Sequence, residues 1–242
     1  MKKEKKKKIE FKLNKDTKNF LSLICNAACI ILGLFCLIVF FIQGGVGNMQ
    51  VERSECFKYF TVESNTLCMI SCAVVLVYNL IGNGIPKWAL KLKFVGCTAV
   101  GVTMIVVLAF LGPIAGYHQL FEGINVILHL ILPLIAILSF IIFEGEIQRK
   151  NRFGARSKNR PISFNESFLG MIPTLAYGVM YYYFVFITER WDDLYNFNSG
   201  VMEGKWYLIY IAIIVGTFVI ETVIRALHIL CNKEYMIRGY TL

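Results

Sequence analysis

Hydrophobic residues in this chain gather into six long runs separated by short polar stretches. Each run approaches the ~20 residues that a helix needs to cross a bilayer. The runs extend over Phe20–Ile42, Phe60–Gly82, Leu92–Ile114, Ile124–Glu144, Phe168–Thr188 and Trp206–Leu230. They predict an all-α polytopic membrane protein with six transmembrane helices in one bundle. A basic tail over 1–19 precedes this domain at 20–230, and a short tail over 231–242 follows it. The first run is too long for a cleaved signal sequence and no small-residue cleavage site follows it, so that helix is expected to be retained. Pro133 and Glu221 have no counterparts in the opposite half, which speaks against a transporter built from two repeats.

Composition sharpens the picture. Of 242 residues, 57% are hydrophobic and only 17% charged, with a mean hydropathy of +0.60. A soluble domain, a disordered chain and a small disulfide scaffold are all excluded by that balance. Six of the eight cysteines (Cys25, Cys29, Cys36, Cys68, Cys72 and Cys97) fall inside apolar runs, where cysteine behaves as a small hydrophobe. Cys56 is expected in an outer loop and Cys231 in the terminal tail. No Cys/His spacing suggests zinc, so neither a metal nor a cofactor is expected.

Charge sets the orientation. The net charge of +9 owes much to nine lysines before Phe20. Directly ahead of an apolar helix, such a tail reads as a topology signal lying on anionic headgroups, not as a nucleic-acid arm. Lys87, Lys91 and Lys93 in the second connection, Arg149, Lys150, Arg152, Arg156, Lys158 and Arg160 in the fourth, and Lys233 and Arg238 at the end lie on the same side as that tail. Only Arg53, Lys58, Arg190 and Lys205 lie on the other. Basic residues concentrate on the cytoplasmic side, so both termini are expected there, in the cell membrane. Trp191, Trp206 and Tyr207 would then mark the outer boundary and Trp88 the inner one.

Polar residues within spans are costly and point to function. At the head of the second span, Thr61, Ser64 and Asn65 stand at i, i+3 and i+4, on one helical face that Cys68 and Cys72 continue. Glu63 lies about 200° away from Thr61 around the axis. Ser, Thr and Asn at a helix start also serve as caps. In the fourth span Asn125 and His129 are four apart, and Pro133 should disturb the backbone at the His129 carbonyl. A membrane histidine can also simply bond a neighbouring helix. His129 should lie about 9 Å into the bilayer, a depth similar to that of Thr61 and Asn65. A hydroxyl and an imidazole at matching depth suggest a nucleophile and its general base. In the sixth span Glu221 and Arg225 are four apart in the order favourable for an intramembrane ion pair, with a proton or ion relay as the alternative.

At Tyr59-Phe60-Thr61 through Ser64-Asn65, and from His129 to Pro133, the chain resembles the bacterial relatives of the androgen-induced integral membrane proteins. That family includes six-span hydrolases of fatty-acid esters of hydroxy fatty acids, with a threonine nucleophile and a histidine partner. The resemblance implies that Thr61 and His129 are the catalytic pair of a lipid-ester hydrolase working near the outer leaflet. Ser64, Asn65, Asn125 and Tyr182 are the supporting or oxyanion candidates. The orienting acid stays open among Glu63, Glu122, Asp192 and Asp193. Expected partners are membrane lipids and the ester substrate. A non-catalytic lipid-binding or transport protein using the same cavity is the alternative.

Overall fold

The computed structural model describes residues 15–43, 53–81, 84–144, 148–150, 156–158, 161–195, 197 and 203–237. Most of the basic tail and Arg238 lie outside them. Helix α1 runs over Lys15–Gln43, starting ahead of the expected Phe20, and Asp16 in its first turn meets the positive end of the helix. A 3₁₀ turn, Arg53–Lys58, leads into α2, Phe60–Ile81. Helix α3 covers Lys87–Val106 and begins directly after Pro86, whose fixed φ suits a helix entry. It therefore starts five residues before the expected Leu92, so Lys87, Lys91 and Lys93 are helical instead of lying in a connection.

Three prolines inside apolar helices each follow a turn that departs from α geometry. A π turn, Val107–Leu111, precedes Pro113, and another, Ile127–Ile131, precedes Pro133 at the start of α4, Leu132–Phe143. A 3₁₀ turn, Phe168–Met171, precedes Pro173 in α5, Ile172–Tyr182. Proline lacks an N–H and clashes with the carbonyl four residues back, so the backbone there must find other spacing. A third π turn, Tyr183–Ile187, extends α5 with no proline after it. The last helix, α6, spans Trp206–Ile237.

Entry to the fifth apolar segment is fixed by a capping box. The Glu166 N–H donates to Ser163 Oγ at 3.3 Å, and the Ser163 N–H donates to Glu166 Oε2 at 2.9 Å. Glu166 Oε1 also pairs with Lys87 Nζ at 2.6 Å and Lys91 Nζ at 2.9 Å, which ties the start of α3 to that of the fifth segment. In the basic connection before it, β1, Gln148–Lys150, pairs antiparallel with β2, Arg156–Lys158, aligning Arg149 with Ser157.

Among the described residues, five helical segments are long and apolar enough to cross a membrane: Asp16–Ile42, Phe60–Ile81, Lys87–Ile114, Phe164–Ile187 and Trp206–Asn232. The sixth apolar segment, Ile127–Phe143, is shorter than the run Ile124–Glu144 anticipated, because Ile124 still belongs to the turn that precedes it. Polarity is arranged inside out, as lipid requires. Ile42 is 77% and Val179 68% exposed, whereas Lys93 and Glu221 are fully buried. Helix α3 lies at the centre, packed against α2, α4, α5 and α6, while α1 closes the bundle against α2 and α4. From Gly96 to Thr103 every residue of α3 is buried. Small residues permit that approach: a Cβ on Gly96 would stand 3.0 Å from the Cys68 Cα of α2.

Candidate functional site

The α2 N-terminus and the π turn ahead of α4 meet at one end of the bundle. Thr61, in the first turn of α2, places Oγ1 3.4 Å from Nε2 of His129. His129 lies in the middle of the π turn, so the widened backbone carries the imidazole toward α2. The second ring nitrogen, Nδ1, lies 2.6 Å from the Leu120 carbonyl oxygen, which can only accept. Nδ1 therefore carries the proton, and in the neutral ring Nε2 turns its lone pair to the Thr61 hydroxyl. Leu120 ends the short helical turn Tyr117–Leu120. The Phe121 ring covers the imidazole edge-on at 6.3 Å, and His129 is buried.

Asn65 and Ser64 occupy other places than those of oxyanion donors. Asn65 Nδ2 donates to the Thr61 carbonyl at 2.7 Å and to the Leu128 carbonyl at 3.1 Å, bracing α2 against the turn that holds His129. With both amide hydrogens engaged, it has no donor left for a substrate. Ser64 Oγ donates to the Thr61 carbonyl at 3.1 Å and lies 2.7 Å from Thr103 Oγ1 on α3. Asn125 is buried one turn before His129. Tyr182 is 41% exposed, its ring stacked on Trp206 at 5.0 Å. Glu63 points away from Thr61, beside Pro173, Ala176 and Met180. Among the described residues no side chain fills the orienting position on His129, because a main-chain carbonyl does. The Thr61 N–H, at the free end of α2, has no hydrogen-bond partner among the described residues.

Thr61 borders a cavity of about 330 Å³, within the range of small-molecule sites. Val102, Val106 and Leu111 of the third apolar segment form one wall, and Tyr177, Tyr181 and Tyr182 of α5 another. Trp206, Tyr210 and Ile213 of α6 complete it, with Tyr195 and Phe197 at the rim. Tyr195 locks the rim to the site: its hydroxyl accepts from the Phe60 N–H at 2.9 Å, and Tyr177 Oη donates to the Lys58 carbonyl at 2.7 Å. Burial pushes the Tyr195 hydroxyl up to about 12, so it stays protonated.

Two sequence expectations are corrected. Cys56 is not exposed in a loop; it packs with Cys36, Phe40 and Val62 because the 3₁₀ turn folds it back onto α1 and α2. Among the described residues no ion pair joins Glu221 to Arg225. Glu221 Oε1 instead lies 3.3 Å from Ser167 Oγ, whose proton goes to the Phe164 carbonyl at 2.7 Å, and Arg225 Nε donates to the Ile162 carbonyl at 2.9 Å. Partners on the neighbouring segment over 162–167 outcompete the i, i+4 contact.

A polar cluster at the opposite end of the bundle was not anticipated. Lys93 Nζ lies 2.7 Å from Asn26 Oδ1, 2.7 Å from Cys72 Sγ and 4.0 Å from Glu144 Oε1. Asn26 Nδ2 donates to the same Glu144 oxygen at 2.7 Å, and Ser139 Oγ donates to it at 2.8 Å. Asn26, a strongly polar residue inside the first apolar run one turn after Ser22, was the signal that could have found it.

No family model matches this chain, and no curated protein or solved structure matches it either. The fold and the burial pattern define a helical bundle whose apolar helices suit a membrane-embedded protein.

Proposed function

We propose that this protein is an intramembrane hydrolase of lipid esters, with Thr61 as nucleophile and His129 as general base. One observation carries the reading: Thr61 Oγ1 stands 3.4 Å from a His129 Nε2 whose proton is held on the other nitrogen by the Leu120 carbonyl. An unassisted threonine hydroxyl is a weak nucleophile, and a base in this orientation is what activates it. The resemblance of both segments to the androgen-induced integral membrane proteins points the same way. The chain crosses the membrane six times, the shorter Ile127–Phe143 segment included, with both termini cytoplasmic and the pair near the outer leaflet.

In the reaction, Thr61 Oγ1 attacks the ester carbonyl carbon as Nε2 takes the hydroxyl proton. The oxyanion that forms lies at the positive end of α2, where the Thr61 N–H donates to it. The intermediate collapses, the C–O bond to the leaving alcohol breaks, and imidazolium Nε2–H protonates that oxygen. Water, deprotonated in turn by Nε2, then attacks the acyl-Thr61 carbonyl, the C–O bond to Thr61 Oγ1 breaks, and imidazolium Nε2–H returns the proton to that oxygen as the fatty acid leaves. The apolar cavity beside Thr61 takes the acyl chain.

The test is to incubate the purified full-length protein with a long-chain ester and look for an acyl adduct by peptide mass mapping. The expected result is an adduct on Thr61 together with fatty-acid release. Tight lipid binding with neither adduct nor release would replace this reading with the lipid-binding one.

A further inference from the structure

Away from Thr61, a second line of buried polar side chains descends between α3, α5 and α6. It starts at the cavity floor, where Thr217 Oγ1, whose proton goes to the Ile213 carbonyl at 2.7 Å, lies 3.5 Å from Oγ1 of Thr174, itself part of the cavity wall. One turn further along α6 stands Glu221, which has no exposed surface. Its Oε1 lies 3.3 Å from Ser167 Oγ, but its Oε2 has no partner among the described residues. The same is true of Thr98 Oγ1 on α3, also fully buried.

Both orphaned oxygens converge on Gly170. A Cβ placed there would stand 2.9 Å from Glu221 Oε2 and 3.0 Å from Thr98 Oγ1, with the Phe94 ring edge at 3.2 Å. Gly170 belongs to the 3₁₀ turn Phe168–Met171, and non-α backbone at membrane depth is tolerated where it is buried in protein or lines a cavity. Arg225, one turn further along α6, is a neighbouring basic side chain, but its Nε donates to the Ile162 carbonyl. The faces turned to Glu221 from α3 and the fifth segment present Thr98, Phe94, Ser167 and Gly170.

A carboxylate buried in a bundle without a bound counter-charge is too costly to persist. Something positive must sit on it. We infer that Glu221, Thr98 and the Gly170 notch form a binding site for one monovalent cation, a proton or Na⁺, connected to the cavity through Thr217 and Thr174. Carboxylate and hydroxyl oxygens are hard donors suited to either ion. The site is separate from the Thr61–His129 pair, and its failure would leave the hydrolase reading untouched.

The full-length protein in lipid nanodiscs, in choline chloride, provides the test. Radioactive ²²Na⁺ binding is measured at pH 8 and pH 5.5, and proton uptake is measured from pH 10 to pH 5.5 without sodium. If Na⁺ is the occupant, wild type binds it saturably, acid displaces it, and Glu221→Gln abolishes binding. If a proton is the occupant, ²²Na⁺ does not bind, but wild type takes up one proton more than Glu221→Gln. Gly170→Ala puts a methyl group between the two oxygens and should abolish Na⁺ binding or displace the uptake curve. Thr98→Val, a milder change for the case in which Gly170→Ala does not fold, should weaken binding several-fold. Wild type that binds no Na⁺ and takes up the same number of protons as Glu221→Gln would overturn the proposal.

Discussion

Thr61 Oγ1 and His129 Nε2 lie 3.4 Å apart although 68 positions separate them in the chain. Two local irregularities make the contact: a helix that begins at Phe60, and a π turn imposed ahead of Pro133. If the two side chains act as one unit, Thr61→Ala and His129→Ala should each abolish ester hydrolysis. The double variant should be little worse than either single, since each change already removes the joint step. Thr61→Ser should keep part of the activity, because the hydroxyl survives and only the methyl that restricts its rotamer is lost. Rates of fatty-acid release from long-chain esters check all four variants.

Because Nε2 must be unprotonated to accept the Thr61 proton, activity should be absent at acid pH and rise with pH. The rise should follow a single deprotonation, that of the His129 imidazole. The Leu120 carbonyl accepts from Nδ1 in both protonation states, so it holds the ring without adding a second ionisation. A kcat/KM profile with one acid limb is the expected result. Activity that stays constant down to the pH at which the fold is lost would remove His129 as the base.

Much of this arrangement was legible in the chain. Period and depth placed Thr61 and His129 at one level, and Pro133 marked the place where the backbone leaves α geometry. Two things were not legible, for physical reasons. The group that orients His129 is a main-chain carbonyl, which no side-chain pattern announces. Lys93 counts in the sequence with Lys87 and Lys91 among the basic residues of the second connection, yet starting α3 at Lys87 turns Lys93 inward while the other two reach Glu166. The i, i+4 rule that joined Glu221 to Arg225 holds for isolated helices, and inside a bundle Ser167 and the Ile162 carbonyl are the nearer partners.

Asn65 should act on the site through geometry. Its amide ties the Thr61 carbonyl to the Leu128 carbonyl, one residue before His129. Interhelical hydrogen bonds within membranes average about 0.6 kcal/mol and reach about 1.7. Asn65→Ala should therefore cost about 1 kcal/mol of stability in detergent, yet lower kcat more than that loss accounts for, as the two helices drift apart. Unchanged kcat would show that the brace does not position the pair.

Topology can be tested with thiols, though not with Cys56, which is packed in the core and whose thiol burial pushes up. Lys205 is exposed just ahead of α6, and Cys231 is exposed near its far end. Lys205→Cys should react with a membrane-impermeant maleimide added outside intact cells, while Cys231 should react only after the cells are opened. Labelling of Cys231 from outside would reverse the orientation.

The Lys93 cluster supports a sharper stability prediction. Lys93 is fully buried and Glu144 nearly so, and Asn26 bridges them by accepting from one and donating to the other. Removing one member of a buried charged pair strands the other, at a cost of about 3–5 kcal/mol, whereas replacing both with apolar groups of similar size is often close to neutral. Lys93→Met alone leaves the Glu144 carboxylate with only Asn26, Ser139 and the longer Ser22 contact. Glu144→Gln alone leaves an ammonium facing Asn26 and the Cys72 sulfur. Each single variant should therefore lower the melting temperature in detergent markedly, and Lys93→Met with Glu144→Gln together should recover most of the loss. Because the cluster lies at the opposite end of the bundle from Thr61, the recovered double variant should also regain ester hydrolysis. Singles as stable as wild type would show that water reaches the pair, and an additive double variant would show that the two charges do not stabilise each other.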